Sequence, residues 1–124
     1  MSNSYKDLVA WQQSMDLVEM VYEAIAKLPR DERFDLSSQM RRAVVSVVSN
    51  IAEGQGRNSK GEFTHFLGMA KASLTELETQ VLVAERVKYF GKDEVEKLTA
   101  QIDRVARLVN GLINSMRRSA AAGD

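Results

Sequence analysis

Cysteine is absent from the 124 residues, which excludes a disulfide framework, a thiolate zinc site and a cysteine nucleophile together. That absence fits a reducing compartment. One proline, seven glycines, one Trp, three Tyr and four Phe are too few for a sandwich or barrel, whose many turns consume Gly, Pro and Asn. No apolar run approaches the roughly 20 residues a membrane helix needs, because charges interrupt each one within two turns. Charge of one sign is also lacking: seventeen basic and seventeen acidic side chains cancel. Nucleic acid or an anionic membrane therefore meets no global attraction, and any such binding has to come from a local patch. A single histidine and no cysteine leave little from which to build a nucleophile-and-base site, so no enzyme and no cofactor are expected. The segment Met1 to Asp7 is polar and lacks the basic start and apolar run of a secretory signal, so the expected location is cytoplasmic.

What the chain has is helical periodicity. A length of 124 residues suits one domain, burying roughly two-thirds of the unfolded surface. Leu8, Trp11, Met15, Val18, Tyr22 and Ile25 recur at alternating steps of three and four, predicting a first helix from about Tyr5 to Leu28, stopped by Pro29. Asp35 or Ser37 is placed to cap a second helix, which carries Leu36, Met40, Ala43, Val44, Val47 and Ile51 on one face and ends at Gly54. Its valines favour strands in isolation, but the surrounding period near 3.6 outranks that preference. Gln55 to Asn58 reads as a loop. Ser59-Lys60-Gly61-Glu62 then has capping-box spacing and opens a third helix lined by Phe63, Leu67, Ala70, Leu74, Leu77, Val81, Ala84 and Val87, with Gly91 as its left-handed terminator. Val95, Leu98, Ile102, Val105, Val109, Leu112 and Met116 form unbroken heptads in a fourth helix from about Asp93 to Arg118. Four helices of about 20 residues or more, joined by short loops, predict an all-α, antiparallel up-down-up-down bundle. Residues 1–118 are read as one domain and 119–124 as a frayed tail.

The first helix holds a second apolar line, Val9, Ala10, Leu17, Met20 and Ala24, outside the heptad stripe. Such excess is either scattered surface residues or a subunit interface centred on Leu17 and Met20.

Three suggestions of chemistry fail on inspection. Glu62-x-x-His65 has the spacing used by di-iron bundles, but those sites need two such motifs and two further glutamates, so no metal is expected. Gly54-Gln55-Gly56-Arg57 has the glycines of a phosphate loop without the preceding strand or the Gly-Lys-Ser/Thr ending. Glu76 and Glu78 sit two apart on one helix and point apart, which is poor geometry for acid and base work.

A polar line has more to say. Gln39, Arg42, Ser46, Asn50 and Glu53 follow at helical steps beside the apolar stripe of the second helix. A solvated face explains the charges; small uncharged groups among valines suggest instead a covered face whose polar atoms need partners. The third helix offers Glu76, Glu78, Thr79 and Gln80, with Arg41 or Arg42 as the cation of an ion pair. At the loop, Arg57 and Lys60 flank the start of a helix, where amides and dipole favour an anion; phosphate contact and ordinary solvated charge are the two readings.

The order Tyr5-Lys6-Asp7-Leu8-x-x-Trp11, Leu28-Pro29-x-x-Glu32, Leu36-x-x-Gln39-Met40-Arg41-Arg42-Ala43-x-x-Ser46, Asn50-Ile51-Ala52-Glu53-Gly54-x-x-Arg57 and Phe63-x-x-Phe66-Leu67-x-x-Ala70-x-x-Ser73-Leu74-x-Glu76-Leu77-Glu78-Thr79 resembles the four-helix-bundle proteins encoded in intervening sequences of bacterial large-subunit ribosomal RNA. The resemblance reaches to Phe90. One departure is Val48, where the family often has proline two residues before the asparagine; a straighter second helix is the expectation. The resemblance implies a homopentameric ring and, through similarity to accessory proteins of diversity-generating retroelements, contact with RNA or an RNA-handling protein. The alternatives are an accessory subunit of a reverse transcriptase and a ferritin-like metal-dependent oxidase.

Overall fold

The computed structural model describes residues 4–32 and 35–121; the expectations for Met1 to Asn3, Arg33, Phe34 and the last three residues of the tail lie outside the described residues. The chain forms α1 (Val9–Ile25), α2 (Leu36–Gln55), α3 (Lys60–Arg86) and α4 (Lys92–Ala121), with short 3-10 turns at Tyr5–Asp7 and Arg30–Glu32. Side-chain contacts fix the direction of each pair. Tyr22 of α1 meets Arg41 of α2, Ser46 of α2 meets Ser73 of α3 while Gly54 meets Phe63, Lys60 at the start of α3 reaches Ser119 near the end of α4, and Lys27 just beyond α1 binds Glu94 at the start of α4. Every neighbour is antiparallel. Consecutive helices pack together and α1 closes on α4, while the backbones of the diagonal pairs stay farther apart, which gives the square cross-section of an up-down-up-down bundle.

The core is one cluster running from Ala10 to Ile113. In α2 the buried set Leu36, Met40, Ala43, Val44, Val47 and Ile51 is the stripe that the sequence predicts, and Val48 leaves the helix unbroken from Leu36 to Gln55. The predicted cap is not made. Asp35 accepts from the Gln39 side chain at 2.8 Å rather than from a backbone amide, and Ser37 lies inside the helix, buried. In α3, Ser59 Oγ accepts from the Glu62 amide at 3.1 Å, half of the expected capping box.

Several helix ends differ from expectation. α1 runs Val9–Ile25 rather than from about Tyr5 to Leu28, because extended backbone at Leu8 separates it from the 3-10 turn Tyr5–Asp7. α3 terminates at Lys88, whose φ of 68° is left-handed, and not at Gly91. The Lys88 amide donates to Glu85 O at 3.0 Å and the Tyr89 amide to Ala84 O at 2.8 Å, a Schellman closure that leaves Val87 exposed. α4 continues to Ala121, three residues past the expected end at Arg118. Near its end the buried position moves from Leu112 to Ile113, as expected where 3.6 residues per turn drift against a seven-residue repeat.

The larger correction is the rotation of α1. Its buried residues are Ala10, Ser14, Leu17, Val21, Ala24 and Ile25. Leu17, assigned from sequence to a subunit interface, is fully buried in the core of the single chain, and Met20 is half-buried against that core. Met15 and Tyr22, expected inside, are exposed. Two parallel apolar lines make a wide arc, and contact with both α2 and α4 centres the smaller residues Ala10, Ser14 and Ala24, which let the helices approach. Ser14 is tolerated there because its hydroxyl donates to Ala10 O at 2.6 Å.

Candidate functional site

The motif residues Asn50 to Gly54 form the corner where α2 turns into α3. A Cβ added at Gly54 would stand 2.8 Å from Phe63 Cδ1 and 2.9 Å from Phe66 Cβ, so only glycine lets α3 lie this close. Four residues earlier, Asn50 Nδ2 donates to Ser46 O at 2.9 Å and to Ser46 Oγ at 3.0 Å, and Ser46 Oγ is 2.9 Å from Ser73 Oγ on α3. These half-buried groups satisfy one another across the helix pair. The covered polar line therefore exists, but hydroxyls and an amide tie it together. Among the described residues, Arg41 and Arg42 make no ion pair with a carboxylate; Arg42 donates to Ser38 Oγ at 2.7 Å, and Arg41 sits 5.8 Å from the centre of the Tyr22 ring. Gln39 is exposed and turned toward Asp35.

Past the corner, Arg57 donates to Glu53 Oε2 at 2.8 Å and lies 4.6 Å from the centre of the Phe66 ring. Its guanidinium is held in one place, and the neighbouring carboxylate offsets its charge. Lys60 is half-buried with Ser119 as a partner. The two cations predicted to face one anion are thus engaged separately. Arg57 borders a shallow groove of about 470 Å³ with Tyr5, Ser49, Ala52, Glu53 and Gly56.

Beside this groove lies a surface that sequence reasoning missed because it read Tyr22 and Met15 as core. Met15, Tyr22 and Val45 are exposed, half-buried Trp11 and Val18 continue the strip, and Arg41 crosses it. Ser38, Arg42, Ser46 and Ser49 complete a depression of about 440 Å³ around Val45 and Tyr22. Aromatic, Met and Arg side chains on a continuous apolar strip have the composition of the centre of a protein interface.

His65 is exposed, edge-on to Phe66 at 5.6 Å. Among the described residues no three His, Cys, Asp or Glu side chains are grouped as metal ligands. None of the four helices is long and apolar enough, within its described residues, to cross a membrane. Glu76 and Gln80 line a separate cleft between α2 and α3.

Among curated proteins no sequence matches this chain. The fold is similar to the crystal structure of a protein with unknown function from the S23 ribosomal protein family of Bacteroides thetaiotaomicron, with a TM-score of 0.79 at 21% identity over 85% of this chain and 98% of that one. The first three helices, most of α4, the Gly54 corner and the serine tie fall within residues 6–111, the span matched by the 23S rRNA-intervening sequence protein family, and the chain belongs to that family.

Proposed function

We propose that this protein is a non-enzymatic, homo-oligomeric building block whose bundles assemble into a ring of five and contact RNA or an RNA-handling partner. The observation that carries the reading is the exposed strip of Met15, Tyr22 and Val45 crossed by Arg41. A contiguous apolar face of this kind is unusual on a bundle that stays alone, and burying it against another copy removes it from water. A ring needs a head-to-tail contact in which the strip of one copy meets a different surface of the next. The RNA contact is assigned to Arg57 with Lys60. Stacking on Phe66 holds the Arg57 guanidinium, whose side chain is 39% exposed, and a phosphate can replace the Glu53 carboxylate without moving it. Repetition around a ring turns weak single contacts into avidity.

Light scattering coupled to size exclusion tests assembly: a mass of five chains supports the ring, and 13.9 kDa at micromolar concentration ends it. Fluorescence anisotropy with labelled structured RNA at low salt tests the second half. Binding should be weak, salt-sensitive and lost in the Arg57→Glu, Lys60→Glu double variant, and equal binding by that variant would remove the loop from consideration.

A further inference from the structure

We propose that the cleft between the start of α2 and the middle of α3 is a binding site for an alkylguanidinium group, the head of an arginine side chain or of a free arginine-like amine. Two independent features point there. The first is a defect in an otherwise satisfied interior. Gln80 lines the cleft, is only 7% exposed, and its Oε1 is the one buried side-chain oxygen or nitrogen among the described residues without a hydrogen-bond partner. A buried acceptor without a donor is destabilising, and a donor supplied from outside would relieve it.

The second feature is the charge of the cleft, which has a volume of about 480 Å³. Glu32, Asp35 and Glu76 stand on it, with Gln39 and Thr79 beside them and Leu36 and Val83 as apolar wall, and no basic side chain is among these lining residues. Glu32 already accepts from the Tyr89 hydroxyl at 2.9 Å and Asp35 from the Gln39 amide at 2.8 Å. Both carboxylates keep oxygen lone pairs to spare, and Glu76, exposed, has no partner among the described residues. Among the described residues the cleft thus offers three carboxylates, no opposing cation and an apolar wall.

A guanidinium fits this set better than an ammonium. Its planar fork carries five donors, enough to bridge a carboxylate and Gln80 Oε1 once the Gln80 side-chain amide turns this closed-off oxygen toward the cleft, and its weaker hydration makes entry less costly. The alkyl stem lies on Leu36 and Val83, as arginine stems do on apolar surface.

The test is a nuclear magnetic resonance titration of the intact protein with agmatine, with pentylamine and a neutral alkylurea of similar length as controls. Agmatine should shift the Gln80 side-chain amide together with the backbone amides of Leu36, Thr79 and Val83, and the urea should not. Glu76→Gln should weaken binding about tenfold, the loss expected for one charged hydrogen bond. Gln80→Leu should abolish the agmatine response and raise the melting temperature, since it removes the orphaned acceptor. Pentylamine binding as tightly as agmatine, an unchanged response in Gln80→Leu, or no localised shift with any probe would each overturn the assignment. An arginine-containing peptide compared with agmatine identifies the source: tighter peptide binding names a polypeptide arginine, and equal or weaker binding names the free amine. Glu76→Gln, on an exposed residue, keeps the question answerable should Gln80→Leu fail to fold.

Discussion

Gly54 of the second helix and Phe63 of the third are in direct contact, with room for a hydrogen but not for a methyl group between them. Alanine at position 54 gains about 0.5–1 kcal/mol of helix preference over glycine, but overpacking a close contact costs about 1–3 kcal/mol. The Phe63 ring can rotate, whereas Phe66 Cβ moves only with its backbone. Gly54→Ala should therefore destabilise by roughly 1 kcal/mol in urea denaturation, the difference between the middles of those two ranges. Gly68→Ala, on the same bundle with nothing within 4 Å, should instead stabilise. If both variants shifted stability in the same direction, the close approach at Gly54 would not be what requires glycine there.

The serine tie predicts a non-additive pair. Ser46→Ala and Ser73→Ala should each cost about 1 kcal/mol, since each leaves a half-buried hydroxyl short of a partner, and the double variant should cost less than the sum. Arg42→Ala, by contrast, should stay within about 0.5 kcal/mol of the parent, because Arg42 is exposed and its partner Ser38 sits on the same helix. A double-mutant cycle by chemical denaturation measures the first claim, and the same curves measure the second.

Leu17 and Tyr22 separate folding from assembly. Leu17 is fully buried, and Leu17→Ala should cost about 2–5 kcal/mol through the cavity it leaves. Tyr22 is 43% exposed, so Tyr22→Glu should keep helical circular dichroism and melting cooperativity while lowering the assembled mass. A Tyr22→Glu variant that unfolds would place this residue in the core after all.

Alkaline pH should loosen two ties between helix ends. The hydrogen bond to Glu32, with burial and the Glu32 charge adding to it, raises the Tyr89 hydroxyl above its usual value. A raised value in the folded chain means the contribution is complete below the unfolded value and is lost as pH climbs through the folded one. The hydrogen bond to Glu94 and the charge of that carboxylate raise Lys27 in the same direction, so both ties hold at neutral pH and weaken only in strongly alkaline solution. Tyrosinate absorbance during a pH titration should show one of the three tyrosines ionising late, and Tyr89→Phe should remove that phase.

The sequence by itself determined which segments are helical, where α2 faces inward and how α3 begins. A single apolar stripe on α2 and a serine three residues ahead of a glutamate leave one arrangement of lowest cost. It did not determine the rotation of α1, because two adjacent apolar lines satisfy helical periodicity equally, and the choice rests on how closely α2 and α4 approach. That choice moved Leu17 into the core and exposed Met15 and Tyr22. Termination at Lys88 was equally hidden: glycine at 91 is the better left-handed residue, yet the Schellman bonds to Ala84 and Glu85 form where the packing of α3 on its neighbours ends. The glycine at 54 was legible as a helix end, while its real task, admitting Phe63 and Phe66, depends on α3 folding back against it. The polar line was legible as a line, but its partners were not. Periodicity places side chains on a face, and only the meeting of two faces decides that Ser46 finds Ser73 while Gln80 is left with an empty acceptor.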